Sequence, residues 1–460
     1  MKILMACADW GIPLRGHAGS SVHFRCLANA LTGLGHEVRL VVSNASGPAP
    51  CAHPVEAVPY RRFWPAVNGI VERLRGRSAP PDTVQSVPAS GKAGSSPLPG
   101  AHAEISTPSW KTSLYYQKLP LHLDRIEELL FHRRSFGRAM ARVLAEFSPD
   151  GVYERYALGQ TGASWAARAA GPRSIPHLLE VNASLASERI ERGELTGLWA
   201  GWSRLQEVRQ WRRADGIFCV SGELRDKVVS AGSASGRVVV TPNGVDVDAF
   251  SPGRPKGALR RHLVAGEQDV LVGWLGSLSP GRGAEEFLRI LALTLPLVPE
   301  ARGVVIGDGN LAGELKLLAE KLGLAGRVVF LGAVPHADVP ELLVDLDIAV
   351  ASYPSSTGFY FSPMKVAEYL ACGLAVVCGR AGQMRELVED GISGILMEPG
   401  DLPAWGQAVA ALCRDPGRRA RIGQAARQVA LKGPTWEKNA RLVGDAVLAL
   451  RNKGSRVGAS

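Results

Sequence analysis

At 460 residues the chain is too long for one ordinary core and suits two domains of about 200 residues each. Hydrophobic residues at 46% and charged residues at 21% are ordinary for a globular protein, and no run approaches the roughly 18 apolar residues of a membrane span. Seven scattered cysteines without a Cys-x-x-Cys pair or a histidine cluster indicate neither a disulfide framework nor a zinc site. The net charge of +10 is uneven, with 29 Lys+Arg against 20 Asp+Glu up to Val245 and 24 against 23 after it. A basic first half suits an acidic acceptor, a phospholipid surface or nucleic acid, and charge alone selects none of them.

The first residues, Met1 to Asp9, form too short an apolar run for a signal peptide and read as a first strand, which leads us to expect a cytoplasmic chain. A polar loop containing Gly19 follows, then apolar residues at helical spacing from Ser21 to Leu31, then a strand from Gly35 to Val42. This β-loop-α-β order opens a doubly wound domain, in which ligands sit at the carboxyl ends of the strands. Residues 76–110 are rich in Pro, Ser, Gly and Ala with almost no apolar periodicity, as expected of a disordered insertion. A helical pattern from Leu121 to Phe147 leads to strands at Gly151–Tyr153 and Ile175–Val181, and the second ends in Glu180-Val181-Asn182 on the ligand-binding edge. The segment with Trp199, Trp202 and Trp211 also carries Arg204, Arg209, Arg212 and Arg213, and its spacing fits an amphipathic helix packed by its tryptophans better than a nucleic-acid contact.

Val238 to Asp246 is a strand running into Pro242-Asn243-Gly244, where the composition changes to a second α/β series. That series starts with the strand Val270–Leu275 and the loop Gly276-Ser277-Leu278-Ser279-Pro280-Gly281-Arg282-Gly283. Its glycines permit close backbone approach, and Arg282 can reach a diphosphate through two N–H groups. Strands at Val328–Val334 and Ile348–Ser352 precede Phe359-Tyr360-Phe361-Ser362-Pro363-Met364-Lys365-Val366-Ala367-Glu368-Tyr369. Here Ser362 is the expected N-cap, Pro363 the first helical residue and Gly373 the left-handed stop. The free N–H groups of Met364 and Lys365 and the Lys365 ammonium would together favour a phosphate, although a plain capped helix start fits the same residues. Two Asp-x-Asp matches, Asp246-Val247-Asp248 and Asp345-Leu346-Asp347, fall in a turn and before a strand, so no metal is expected. Gly307-Asp308-Gly309 lacks the third glycine of a dinucleotide loop.

Taken together, the Pro-Asn-Gly-Val-Asp junction, the glycine loops and the Ser-Pro-x-Lys-x-x-Glu stretch resemble the retaining family 4 glycosyltransferases over most of the chain. The resemblance implies an α/β, GT-B fold, with two facing Rossmann-like domains and a cleft between them. Residues 1–243 would be the acceptor-side domain, 244–433 the nucleotide-sugar domain, and 434–460 a helix returning to the first domain, with a tail. It implies sugar transfer from a nucleoside-diphosphate sugar to an acceptor hydroxyl in envelope polysaccharide, glycolipid or natural-product biosynthesis. No cofactor, metal or nucleic acid would take part, and the acceptor could be lipid-linked with peripheral membrane contact. Arg282 and Lys365 would be catalytic. Gly19, Ser277, Ser362, Met364 and Glu368 would bind the donor, Glu368 through its ribose, and Glu180, Asn182 and Tyr360 would face the acceptor or the transferred sugar. Tyr360 stands where the commoner pattern has a glutamate, Asn182 where it has a histidine, and Ser277 and Arg282 where it has arginine and lysine. The alternatives are a sugar-nucleotide epimerase of the same fold and a non-catalytic subunit.

Overall fold

The computed structural model describes residues 1–58, 132–170, 175–266, 268–354 and 362–457. The expected insertion at 76–110 and Tyr360 lie outside these residues.

The first half is a parallel sheet of seven described strands in the order β3-β2-β1-β4-β5-β6-β7. These are β1 (Lys2–Cys7), β2 (Glu37–Val42), β3 (Val55–Ala57), β4 (Gly151–Arg155), β5 (His177–Val181), β6 (Gly216–Cys219) and β7 (Val238–Val240). Strands β1, β4 and β5 are buried along nearly their whole length because helices cover both faces of a parallel sheet, and the polar residues of β4 and β5, Glu154, Arg155, His177 and Glu180, are buried with them. The helices are α1 (Gly19–Gly33), α2 (Arg133–Phe147), α3 (Gly162–Ala169), α4 (Leu185–Glu191), α5 (Gly197–Arg213) and α6 (Gly222–Ser230).

A second parallel sheet has the order β10-β9-β8-β11-β12-β13. Its strands are β8 (Val270–Leu275), β9 (Ala301–Ile306), β10 (Val328–Phe330), β11 (Ile348–Ala351), β12 (Ala375–Gly379) and β13 (Ile395–Met397). Around it lie α7 (Ala284–Thr294), α8 (Ala312–Lys321), α9 (Met364–Ala371), α10 (Leu402–Arg414) and α11 (Pro416–Lys432). The last helix, α12 (Trp436–Val457), returns to the first sheet, where Ala440, Val443 and Val447 join the core of Ile3, Met5, Leu27 and Leu40. A Cβ on Gly151 would lie 2.7 Å from the Val447 side chain, so β4 admits the helix at that close approach only with glycine there. Two Rossmann-like sheets facing one another are the expected GT-B arrangement.

Helix α5 departs from expectation. Of its tryptophans only Trp211 is buried; the side turned to the sheet carries Ser203, Glu207 and Gln210. The backbone beneath it explains the inversion, because Gln210 accepts from the Gly159 N–H and donates to the Ala157 and Gln160 carbonyls. Glu207 accepts from the Tyr156 and Ser184 hydroxyls and the Ala186 N–H. Unpaired backbone groups cost more than buried polar side chains that pair with them, so the polar face turns inward. Among the described residues no helix is long and apolar enough to cross a membrane.

Candidate active site

The second-domain half of the cleft is built on the carboxyl ends of β8 and β11. After β8 the chain turns through Gly276–Gly283, and Gly283 has φ +90°, with a Cβ position only 1.7 Å from the Ser352 carbonyl oxygen. Only glycine allows that contact, and it draws the loop against the end of β11. Arg282 is exposed on the loop, and Ser277 and Ser279 pair through their hydroxyls at 2.8 Å.

Lys365 lies in the first turn of α9. Its Nζ is buried with no hydrogen-bond partner and rests 3.9 Å from the Trp274 ring centroid and 5.2 Å from that of Tyr353. Burial, reinforced by the Arg282 charge and opposed by Glu368, pushes the Lys365 ammonium down to about 7. An ammonium held on aromatic faces without an acceptor is prepared for an anion arriving at the helix N-terminus. Helix α9 ends as expected, with Gly373 at φ +67° and its N–H donating to the Leu370 carbonyl.

The helix start is different. Met364 is the first helical residue and Pro363 stands at the N-cap, so Ser362 lies one position too early to cap. Its hydroxyl instead accepts from the Asn243 N–H at 2.8 Å, and Asn243 Nδ2 donates to the Ser362 carbonyl at 2.6 Å. Ser362 therefore ties the helix to the junction turn. Met364 crosses the cleft: it packs against the first-domain core, and its Sδ lies 3.7 Å from where Gly19 would carry a Cβ. Gly19, the first residue of α1, therefore faces the start of α9. Glu368, one turn past Lys365, is buried and meets His336 Nε2 at 2.8 Å. His336 in turn leans on Phe250, with ring centroids 5.3 Å apart.

The first-domain half is a buried polar cluster at the ends of β4 and β5. Glu180 Oε1 lies 3.1 Å from Arg155 Nη1, 2.6 Å from His23 Nε2 and 2.5 Å from Asn182 Nδ2. Burial alone would raise the Glu180 carboxyl, but His23, Arg155 and Asn182 prevail and hold it at about 2. His23 Nδ1 is 2.5 Å from Asn243 Oδ1, so a continuous polar path runs from Glu180 through His23 and Asn243 to Ser362 at the head of α9.

The structure thus gathers Arg282, Lys365, Glu368, Met364, Ser277 and Ser362 on the second-domain side of the cleft and Gly19, Glu180 and Asn182 opposite them. Sequence reasoning missed His23, Arg155, Asn243 and His336. For His23 a signal existed, a polar residue in the apolar stripe of α1. The Asp-x-Asp pairs are structural: Asp246 Oδ1 accepts from the N–H groups of Asp248 and Ala249, Asp345 from those of Gly257 and Leu259, and Asp347 from that of Leu271. Among the described residues no group of three or more His, Cys, Asp or Glu side chains is arranged to hold a metal.

Residues 18–244 match the family described as Glycosyl transferase 4-like domain, and residues 256–429 match Glycosyl transferases group 1. The chain belongs to the family 4 type of glycosyltransferase. This glycosyltransferase is 32% identical over 252 residues to a GDP-mannose-dependent alpha-(1-6)-phosphatidylinositol monomannoside mannosyltransferase of Mycolicibacterium smegmatis, covering 53% of this chain and 66% of that protein. To a D-inositol 3-phosphate glycosyltransferase of Mycobacterium tuberculosis it is 29% identical, covering 68% of this chain and 64% of that one. It thus spans just under two thirds of the length of either relative. Among solved structures its fold is similar to Anabaena HepE in complex with UDP-glucose (TM-score 0.64, 18% identity, 98% of this chain and 100% of that one). Sucrose-phosphate synthase from Thermosynechococcus elongatus shares it too (TM-score 0.68, 16% identity, 98% and 99%).

Proposed function

We propose that this glycosyltransferase moves a sugar from a nucleoside-diphosphate sugar to an acceptor hydroxyl with retention of anomeric configuration. The observation that carries this reading is the buried, unpaired Lys365 ammonium at the N-terminus of α9, beside Arg282. Breaking the glycosidic bond leaves a full charge on the departing diphosphate, and Lys365, Arg282 and the N–H groups of α9 are fixed donors aimed at that charge. Glu368, positioned by His336, takes the ribose hydroxyls. Glu180, its charge held by Arg155 and His23, orients Asn182 toward the transferred sugar and its acceptor. Attack on the donor face left open by the leaving diphosphate accounts for retention without a second carboxylate, and no metal is required. The relatives that act on phosphatidylinositol mannoside and inositol phosphate support a polyol or lipid-linked acceptor in envelope biosynthesis, with the chain acting at the membrane surface.

The test is a panel of UDP-, GDP- and dTDP-sugars assayed for hydrolysis and transfer by the purified chain, with and without EDTA. Turnover of one donor class, insensitive to EDTA, is expected. No turnover of any donor would leave a non-catalytic subunit, and release of an epimerised sugar would identify an epimerase.

A further inference from the structure

Trp274 lies on β8, fully buried, and among the described residues its indole Nε1 has no hydrogen-bond partner. Buried tryptophans normally pair that N–H, because leaving it unpaired costs stability that a phenylalanine or leucine in the same place would keep. The face of the ring, by contrast, is occupied: Lys365 Nζ sits 3.9 Å from its centroid. The lysine is reversed as well. Long cationic side chains usually bury the stem and expose the head, but Lys365 is partly exposed while its Nζ is buried.

Other groups close on the same ammonium. Tyr353, just past β11, has its ring centroid 5.2 Å from Nζ, and Gly276 comes from the loop after β8. Gly276 has φ +152°, and a Cβ there would stand 3.1 Å from both Lys365 Nζ and the Trp274 ring, so glycine lets the backbone close over the contact. The charged groups facing Nζ are Arg282 from that loop and Glu368 from α9 itself, while burial raises the Tyr353 hydroxyl and keeps it neutral. Indole offers an ammonium the strongest of the aromatic faces, and the ring attracts the charge without taking a hydrogen-bond acceptor's share of its N–H groups.

We infer that Trp274 is a positioning residue for the transfer, its indole face holding the Lys365 ammonium at the head of α9, uncommitted to any protein acceptor, for the departing diphosphate. Without the ring, burial and Arg282 would act on Lys365 against Glu368 alone, and the ammonium would lose both its place and its proton. A tryptophan with an unpaired N–H is thus kept for its face. The inference deepens the proposed sugar transfer and rests on it for its purpose, but the contact itself is read without catalysis.

The full-length chain is labelled with 5-fluorotryptophan, and the Trp274 signal is identified in the fluorine NMR spectrum by its absence from Trp274→Phe. That signal should titrate with a midpoint at about 7, stay flat in Lys365→Met, and shift when UDP or GDP is added. Trp274→Met keeps apolar bulk but removes the face. It should lower kcat about tenfold with a smaller change in KM, and move the midpoint of the proton uptake that accompanies donor binding down by about one pH unit. Trp274→Phe, which keeps a face, should stay within about threefold of the wild-type kcat. A wild-type signal that ignores pH, or one that titrates equally in Lys365→Met, overturns the inference even where Trp274→Met fails to fold. So do Phe and Met variants with equal kcat and equal uptake. A Trp274 signal that reports Lys365 but ignores both nucleotides would fall on the proposed reaction instead, because the contact would stand with no diphosphate reaching it.

Discussion

Donor binding should carry a proton with it. The Lys365 ammonium is pushed down to about 7 by burial first and by Arg282 second, so above that pH the free protein holds much of Lys365 uncharged. A diphosphate arriving at the head of α9 brings opposite charge within reach and restores the charged form. The sign is fixed: binding raises the group's pKa, so protons are taken up, and affinity falls as pH rises through and above about 7. With the bound value back near that of an ordinary lysine, uptake should be about 0.1 proton at pH 6, about 0.5 at pH 7 and about 0.9 at pH 8, and affinity should fall about eightfold between pH 7.5 and 8.5. The assay is isothermal titration with UDP-glucose and then GDP-mannose in buffers of different ionisation enthalpy. The phosphate diesters of these sugars do not titrate in this range, so uptake reports on the protein. Lys365→Met should abolish the uptake, and Arg282→Ala should reduce it at pH 8 by removing the second cause of the shift. Equal heats in all buffers for a sugar nucleotide that binds, or full uptake retained by Lys365→Met, would refute the reasoning.

Arg282→Ala should lower kcat by about 10²–10³ with a smaller change in KM, whereas Arg282→Lys should be milder, as steady-state kinetics would show; a rise in KM alone would mean the arginine only holds the ground state. Glu368→Ala should weaken donor affinity by about 1–3 kcal/mol in a titration, and the loss should shrink for a 2′,3′-dideoxy donor that lacks the hydroxyls. Glu180→Gln should destabilise the chain by about 3–5 kcal/mol, because Arg155 and His23 keep their place while the carboxylate that balances them is gone; chemical denaturation measures this. The same carboxyl, held at about 2 rather than near 4.5, contributes stability that is complete above its unfolded value and is lost as pH falls from about 4.5 to about 2. The free energies of unfolding of wild type and Glu180→Gln, measured by denaturant at a series of pH values, should therefore converge toward the bottom of that range.

The strands were readable because both sheets are parallel and buried on two faces, which writes continuous apolar runs such as Val270–Leu275 and Ile348–Ala351 into the sequence. Lys365 and Gly373 were readable because helix ends are local: the residues that make them are neighbours in the chain. Ser362 misled for the same reason. As a Ser before Pro it has the composition of a cap, but its partner Asn243 lies 119 residues away, and no local rule contains that contact. His336 and Glu368 are 32 residues apart, and His23 and Glu180 come from different elements of a doubly wound sheet, so their pairing is a product of topology. Helix α5 failed in another way. Its periodicity is genuine, but the sheet side offers backbone donors and acceptors that demand Gln210 and Glu207, and Leu198, Trp202 and Leu205 are left outside.

These long-range pairs give the junction a role beyond connecting two halves. Asn243 accepts His23 on one side and holds both the carbonyl and the hydroxyl of Ser362 on the other, at the residue before Pro363. His23 belongs to the helix that starts at Gly19, opposite Met364, and it braces the same carboxylate that orients Asn182. A rotation of one half against the other would therefore strain the bracing of Glu180 and displace the head of α9 together. On the proposed function, the groups facing the acceptor and those facing the diphosphate are set by one turn of chain, so the cleft would be complete for both substrates only at one relative position of the two sheets. Transfer needs both at once while hydrolysis needs only the donor side, and a single shared setting favours the acceptor hydroxyl over water at the moment the sugar leaves.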